Sequence, residues 1–185
     1  VRPQLAASMT GDAKINLLNL TPADALATLR EFAVSVGEPP YRGSQAARHI
    51  WKSPALDFES MSDLPIAFRA KLDEHYSMPR LTLVGEQQSS DGTRKFLFQL
   101  ADGQSIEAVA IPEGKRVTLC VSSQAGCALQ CAFCATGAMG FVRNLETFEI
   151  AGQARELAFL DVPIALTNIV FMGMGEPLMN WPAVD

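Results

Sequence analysis

Four cysteines, Cys120, Cys127, Cys131 and Cys134, fall within 15 consecutive positions of a 185-residue chain. A disulfide framework spreads its cysteines along the chain, whereas clustering points to metal or redox chemistry. Cys127, Cys131 and Cys134 stand as C-x3-C-x2-C. Three thiolates at this spacing can hold three corners of a cuboidal four-iron four-sulfur cluster. The fourth iron then has no protein ligand, and the amino and carboxylate groups of a cofactor can bind it. Gly126, Ala128, Ala132 and Ala135 keep the surroundings small. Two other readings stay open at this point. Cys120 as a fourth thiolate gives a zinc site, although zinc favours paired C-x2-C knuckles and only one such pair is present. The cysteines can also be inert buried thiols.

Two further places carry chemical potential. Gly173-Met174-Gly175-Glu176-Pro177 follows a short apolar run. Two glycines after a strand let a ligand approach the backbone closely, and ligands gather at the C-terminal ends of parallel strands. Taken alone, the segment also reads as an ordinary strand-to-loop turn. Glu107 lies in the middle of an alternating run, where a solvated strand residue is the ordinary reading.

The elements that must position these residues are legible in outline. Thr21-Pro22-Ala23-Asp24 predicts a helix start: a capping Thr, Pro at the first helical position and an acid in the first turn. Ala25, Leu29, Phe32 and Val36 follow at helical spacing, and Gly37 ends the run. Further helices are expected over 44–52 and 65–75. Near position 81 the period falls to two. Runs at 81–88, 93–100 and 104–111 are separated by Asp91-Gly92 and Asp102-Gly103, so three antiparallel strands are expected. Pro112-Glu113-Gly114 breaks the chain. A buried strand over 117–121, a helix from Thr147 to about position 160 with Thr147 as cap, and a strand over 168–172 make a β-α-β unit with parallel strands. On that helix Ile150, Ala154, Leu157 and Ala158 are expected to share the buried face. The division is therefore 1–13 a mobile segment, 14–80 a helical domain, 81–114 an antiparallel β extension, and 115–185 the start of an α/β core.

Composition sets the outer limits. Hydrophobic residues make up 48% and charged residues 19%, which is globular. No apolar run is long enough to span a membrane and no secretion signal is present, so a cytoplasmic location is expected. The net charge of -5 argues against a freestanding nucleic-acid-binding module. It leaves an RNA enzyme possible, because the location of charge matters more than its sum. The chain starts with Val1 and ends in Trp181-Pro182-Ala183-Val184-Asp185 without a cap, and it reads as a fragment of a longer protein.

Cys127-Ala128-Leu129-Gln130-Cys131-Ala132-Phe133-Cys134 resembles the signature of the radical S-adenosylmethionine (SAM) superfamily, including the aromatic before the last cysteine. The run 118–127 is similar to the RlmN family in particular. So are Lys14-Ile15-Asn16-Leu17-Leu18, Ser89-Ser90-Asp91-Gly92-Thr93, Gly140-Phe141-Val142-Arg143-Asn144-Leu145 and Gly173-Met174-Gly175-Glu176-Pro177-Leu178. The resemblance covers about positions 14–180. It implies a partial (β/α)6 barrel, here truncated, a [4Fe-4S] cluster on Cys127, Cys131 and Cys134, and SAM held at Gly175 and Glu176. It implies methylation of carbon 2 of an adenine in 23S rRNA, with tRNA as a second substrate, by a monomeric enzyme fed by an electron donor such as flavodoxin. One SAM methylates a cysteine beyond position 185. A second SAM yields a radical that activates this methyl for addition to the base. Glu107 matches the proton acceptor, and Cys120 the resolving cysteine that forms a transient disulfide. The related Cfr-like enzymes, which modify carbon 8, tend to have Ala at the position of Pro177 and Cys at that of Ala125, so both residues favour RlmN. A non-enzymatic zinc-binding interaction module is the alternative of another class.

Overall fold

The computed structural model describes residues 14–185. The expectation for 1–13 lies outside them. The chain opens with β1 (Ile15–Asn16) and a 3-10 turn over Leu17–Asn19, followed by the helices α1 (Pro22–Ser35), α2 (Pro40–Trp51) and α3 (Ile66–His75). Thr21 caps α1 by accepting from the Asp24 N–H, as expected. Helix α2 begins four positions before its expected start. Pro39 and Pro40 have φ fixed near the helical value, and Pro40 at the first helical position has no N–H to leave unpaired. Gly43 lets α2 cross α1 closely: a Cβ there would lie 2.2 Å from the Leu29 carbonyl oxygen. Leu17, Leu18, Leu29, Ile50, Met61, Phe68 and Leu72 fill the core of this part. The two-residue strand β2 (Tyr76–Ser77) pairs with β1.

A second core is built on a five-stranded mixed sheet. Its first members are β3 (Thr82–Gln88), β4 (Arg94–Gln99) and β5 (Ser105–Glu113), antiparallel as expected. Gly92 and Gly103 take the positive φ that the two hairpin turns need. The expected break at 112–114 is instead a third hairpin. Strand β5 runs through Pro112 and Glu113, turns at Gly114 (φ 60), and pairs with β6 (Arg116–Cys120). Pro112 at a strand end opposite Val117 has few ladder bonds to lose. The extension and the α/β part therefore share one continuous sheet.

Beyond β6 come β7 (Gln124–Gly126), the short helix α4 (Ala135–Ala138), and β8 (Phe141–Asn144), which returns to pair with β7. Helix α5 (Thr147–Glu156) follows and runs into a 3-10 turn over Leu157–Phe159. Its cap is Glu146, not Thr147: the Glu146 side chain accepts from the Glu149 N–H while the Glu149 carboxylate accepts from the Glu146 N–H. Ala158 is exposed rather than buried, because the helix has given way to the tighter turn before reaching it. Strand β9 (Asn168–Val170) then lies parallel to β6, so β6-α5-β9 is the expected β-α-β unit. The chain ends in a 3-10 turn over Pro177–Asn180 and α6 (Trp181–Val184). Among the described residues the sheet is open and no closed barrel forms. No helix among them is long and apolar enough to cross a membrane.

Phe96, Phe98, Ile106, Ala108, Ala110 and Leu119 bury one face of the sheet against Ile150 of α5 and Leu157 of the 3-10 turn that follows it. The other side of α5 meets the helical part. Arg155 donates to the carbonyls of Ile50 and Ala55, Arg80 pairs with Glu156, and the Phe148 N–H donates to Asn19. Arg155 and Glu156 are consequently buried, and Glu149 and Gln153 are buried as well, against Arg143 and Ser122.

Candidate functional site

The segment between β6 and β7 organises the site. Ser122, Ser123 and Gln124 are polar yet almost wholly buried. The Ser122 hydroxyl donates to the Glu107 carbonyl (2.6 Å) and accepts from the Met174 N–H (2.9 Å). The Gln153 side chain closes a two-way pair on the Ser122 backbone, at 2.8 Å in each direction. The Ser123 N–H donates to the Met174 carbonyl, and the Glu176 N–H donates to the Gln124 side chain at 3.0 Å. The loop over 173–176 is thus laced onto the end of β6. Sequence reasoning missed these polar anchors, because polar residues after an apolar strand ordinarily signal solvent.

This lacing gives the two loop glycines a reason of their own. A Cβ on Gly173 would lie 2.7 Å from the Val121 carbonyl oxygen, and one on Gly175 (φ +96) would lie 2.5 Å from the Gln124 Cβ. Both close approaches are to the chain itself. The Glu176 carboxylate accepts from the Leu178 N–H at 3.0 Å and caps the 3-10 turn.

The three clustered cysteines sit on the loop that joins β7 to β8. The Cys127 N–H donates to the Gly140 carbonyl and the Cys134 N–H to the Cys131 carbonyl. Gly126 (φ +76) has the Gly140 carbonyl oxygen where its Cβ would be. Its small size therefore serves the hairpin. Between the cysteines, Gln130 adopts a positive φ of 49, rare for a residue with a side chain. Cys127 is buried. Cys131 and Cys134 are half-buried and line an open pocket of about 400 Å³ with Gln130, Gly137 and Gly140. The Gly137 N–H, aided by Thr136, holds the Cys134 thiol below its ordinary range, which favours the thiolate that metal ligation requires.

Cys120 stands apart from this loop, at the end of β6. Burial pushes its thiol up, offset in part by the Met172 N–H. Among the described residues, no group of three or more His, Cys, Asp and Glu side chains gathers closely enough to hold one metal ion. A zinc site needs its sulfurs around a single ion, whereas a cuboidal cluster spreads its thiolates over separate irons. Three free thiols on one short loop, two of them at an open pocket, have the donor chemistry that a cuboidal cluster requires.

Glu107 lies on β5, on the sheet face that α5 leaves uncovered. Val109 lies two residues along the same strand and pairs with Cys120 on β6. Glu107, Val109 and Cys120 therefore share a face. Lys95 of β4 pairs with Val109 and reaches Glu107, with Nζ 3.0 Å from Oε1.

Arg143 of β8 fixes the cysteine hairpin to the rest of the fold. It donates to both oxygens of buried Glu149, at 2.7 and 2.8 Å, and to Asp102 in the β4–β5 turn at 2.6 Å. The Glu149 bonds, then those to Asp102, push the Arg143 pKa up.

An open mixed sheet, a β-α-β crossover and a three-cysteine loop beside a glycine loop define the class. The chain superposes on the crystal structure of a radical SAM methyltransferase from Sphaerobacter thermophilus with a TM-score of 0.76 and 42% identity, over 91% of this chain and 49% of that one. Residues 15–78 match the family model described as the ribosomal RNA large subunit methyltransferase N-terminal domain. A probable dual-specificity RNA methyltransferase RlmN from Gemmatimonas aurantiaca is 57% identical over 92% of this chain and 47% of its own. The dual-specificity RNA methyltransferases RlmN from Halorhodospira halophila and a Marinomonas species are 49% and 44% identical, over 84% and 96% of this chain and 44% and 49% of theirs. The chain spans about half the length of the curated relatives it matches, and over that half it belongs to the RlmN family.

Proposed function

We propose that this chain supplies the cluster loop, the SAM loop and two catalytic side chains of a radical SAM RNA methyltransferase that modifies carbon 2 of an adenine in 23S rRNA, and of one in tRNA. Cys127, Cys131 and Cys134 would hold a [4Fe-4S] cluster, and Gly175 and Glu176 would bind SAM. When bound, these groups supply a deoxyadenosyl radical after one-electron reduction by a donor such as flavodoxin. Glu107 accepts the proton that leaves carbon 2. The Cys120 thiolate attacks the sulfur that links the protein to the RNA; a transient disulfide forms as the sulfur–carbon bond breaks, and its electron pair leaves with the carbon, which takes up a proton to become the product methyl.

The observation that carries this reading is the shared, uncovered sheet face of Glu107 and Cys120, with Cys120 at the end of β6 and the cysteine loop following the next strand, β7. The half-buried Cys131 and Cys134 at an open pocket support cluster binding. Two hydrophobic clusters, over 17–78 and 81–184, support a boundary between a helical domain at 14–80 and the rest. We take 81–114 as the β extension and 115–185 as the opening of a partial (β/α)6 barrel. A monomeric, cytoplasmic enzyme is the corresponding whole.

The test supplies the enzyme, at the full length of its relatives and reconstituted without oxygen, with SAM, a low-potential reductant and a 23S rRNA fragment. Mass spectrometry of the nucleosides then locates the methyl. 2-Methyladenosine is expected. 8-Methyladenosine would give the Cfr-like reading instead, and stoichiometric zinc with no methylation would give the interaction module.

A further inference from the structure

The uncovered sheet face carries one charged contact that the reaction scheme does not use. Lys95 Nζ lies 3.0 Å from Glu107 Oε1, and both side chains are a little over 40% exposed. The strand register fixes this encounter. Gln87, Lys95, Val109, Cys120 and Val170 form one row across the five strands, and Glu107 stands two residues along β5 from that row, on the same face. The neighbouring Arg94 belongs to the opposite face, where it pairs with Glu86 and lies over the Phe96 ring. Lys95 is thus the cation that pairs with Glu107 among the described residues.

We propose that Lys95 is a positioning residue for Glu107. This role rests on the methyltransferase reading and on Glu107 as proton acceptor. A half-exposed glutamate has three rotatable bonds and, unrestrained, samples solvent-directed rotamers. An ammonium fixed to the adjacent strand selects the rotamers in which the carboxylate stays over the sheet, beside the row that carries Cys120. When the carbon 2 C–H bond breaks, its electron pair stays in the ring and the proton goes to a Glu107 carboxylate oxygen. That transfer depends steeply on where the oxygen stands. An exposed ion pair adds little to folding, so the contact's consequence lies in geometry and not in stability.

The experiment compares Lys95→Met and Lys95→Arg with the parent, using the reconstituted enzyme at the full length of its relatives. It reads kcat, KM for RNA, SAM cleavage without RNA, and melting temperature. Lys95→Met is expected to lower kcat on the order of tenfold, with KM for RNA, SAM cleavage and melting temperature unchanged. Lys95→Arg, which keeps a cation within reach of the same carboxylate, is expected to recover most of that loss. A raised KM with unchanged kcat would overturn the proposal in favour of an RNA-phosphate contact. Full kcat in Lys95→Met would overturn it outright, and so would a lowered melting temperature that Lys95→Arg does not rescue. A fully active Glu107→Gln in an active parent would remove the base and this role while leaving the methyltransferase reading intact. A parent that methylates no RNA would overturn both.

Discussion

Glu107 and Cys120 face the same way from neighbouring strands: Val109, two residues from Glu107, is the direct cross-strand partner of Cys120. One carboxylate and one thiol are thereby presented together on a face that α5 leaves free. The proposed roles of proton acceptor and resolving thiol, acting one after the other on one substrate, call for such an arrangement.

Cys120 should act late. Cys120→Ala is expected to retain iron and to cleave SAM, and to accumulate a covalent protein–RNA species visible as a slow RNA-bearing band on a denaturing gel. Normal turnover would end this role, and loss of iron would revive the four-cysteine zinc reading.

The same thiol predicts a pH dependence. Burial raises the Cys120 pKa, so the thiolate that attacks sulfur is scarce at neutral pH and grows as pH rises through the raised value. Decay of the adduct in the parent enzyme, followed after a pH jump, should accelerate into the alkaline range beyond that of an ordinary thiol. A rate that levels off at neutral pH would contradict this.

Replacing Cys127, Cys131 or Cys134 by Ala should abolish an oxygen-sensitive brown chromophore, which in the parent should carry about four irons per chain. Metal analysis after anaerobic reconstitution decides it, and zinc at one equivalent in place of iron would refute the assignment.

Gly175→Val should weaken SAM binding at least tenfold while iron content holds. The cause is internal: the new side chain meets Gln124 at a positive φ, and so displaces the loop. Isothermal titration with SAM reads it, and an unchanged affinity would detach this loop from the cofactor.

Arg143→Met leaves the buried Glu149 carboxylate without its cation, at a cost of about 3 kcal/mol. Urea denaturation should detect it. The double variant with Glu149→Met should recover part of that loss, since the stranded charge is gone too.

Much of this protein was legible in order along the chain. The Thr21 cap, the Asp-Gly turns, the antiparallel run of strands and the β-α-β crossover are local or nearest-neighbour features, and residue type at fixed spacing decides them. The cysteine spacing belongs to the same class, since three thiolates on one short loop need little from the rest of the fold.

Other features depend on partners far away in sequence. Helix α5 has an amphipathic pattern, yet it is buried on two sides, because the helical part docks through Arg155 opposite the sheet. Pro112 reads as a breaker until β6 folds back beside it. Ser122 looks solvent-bound until Glu107, Gln153 and Met174 meet it from three separate elements. The sequence alone determined which residue types could do chemistry and on which local elements they stand. Only the tertiary structure decided that Glu107, Lys95 and Cys120 share one face, because strand register is set by long-range pairing and a slip of one residue would turn any of them to the opposite side.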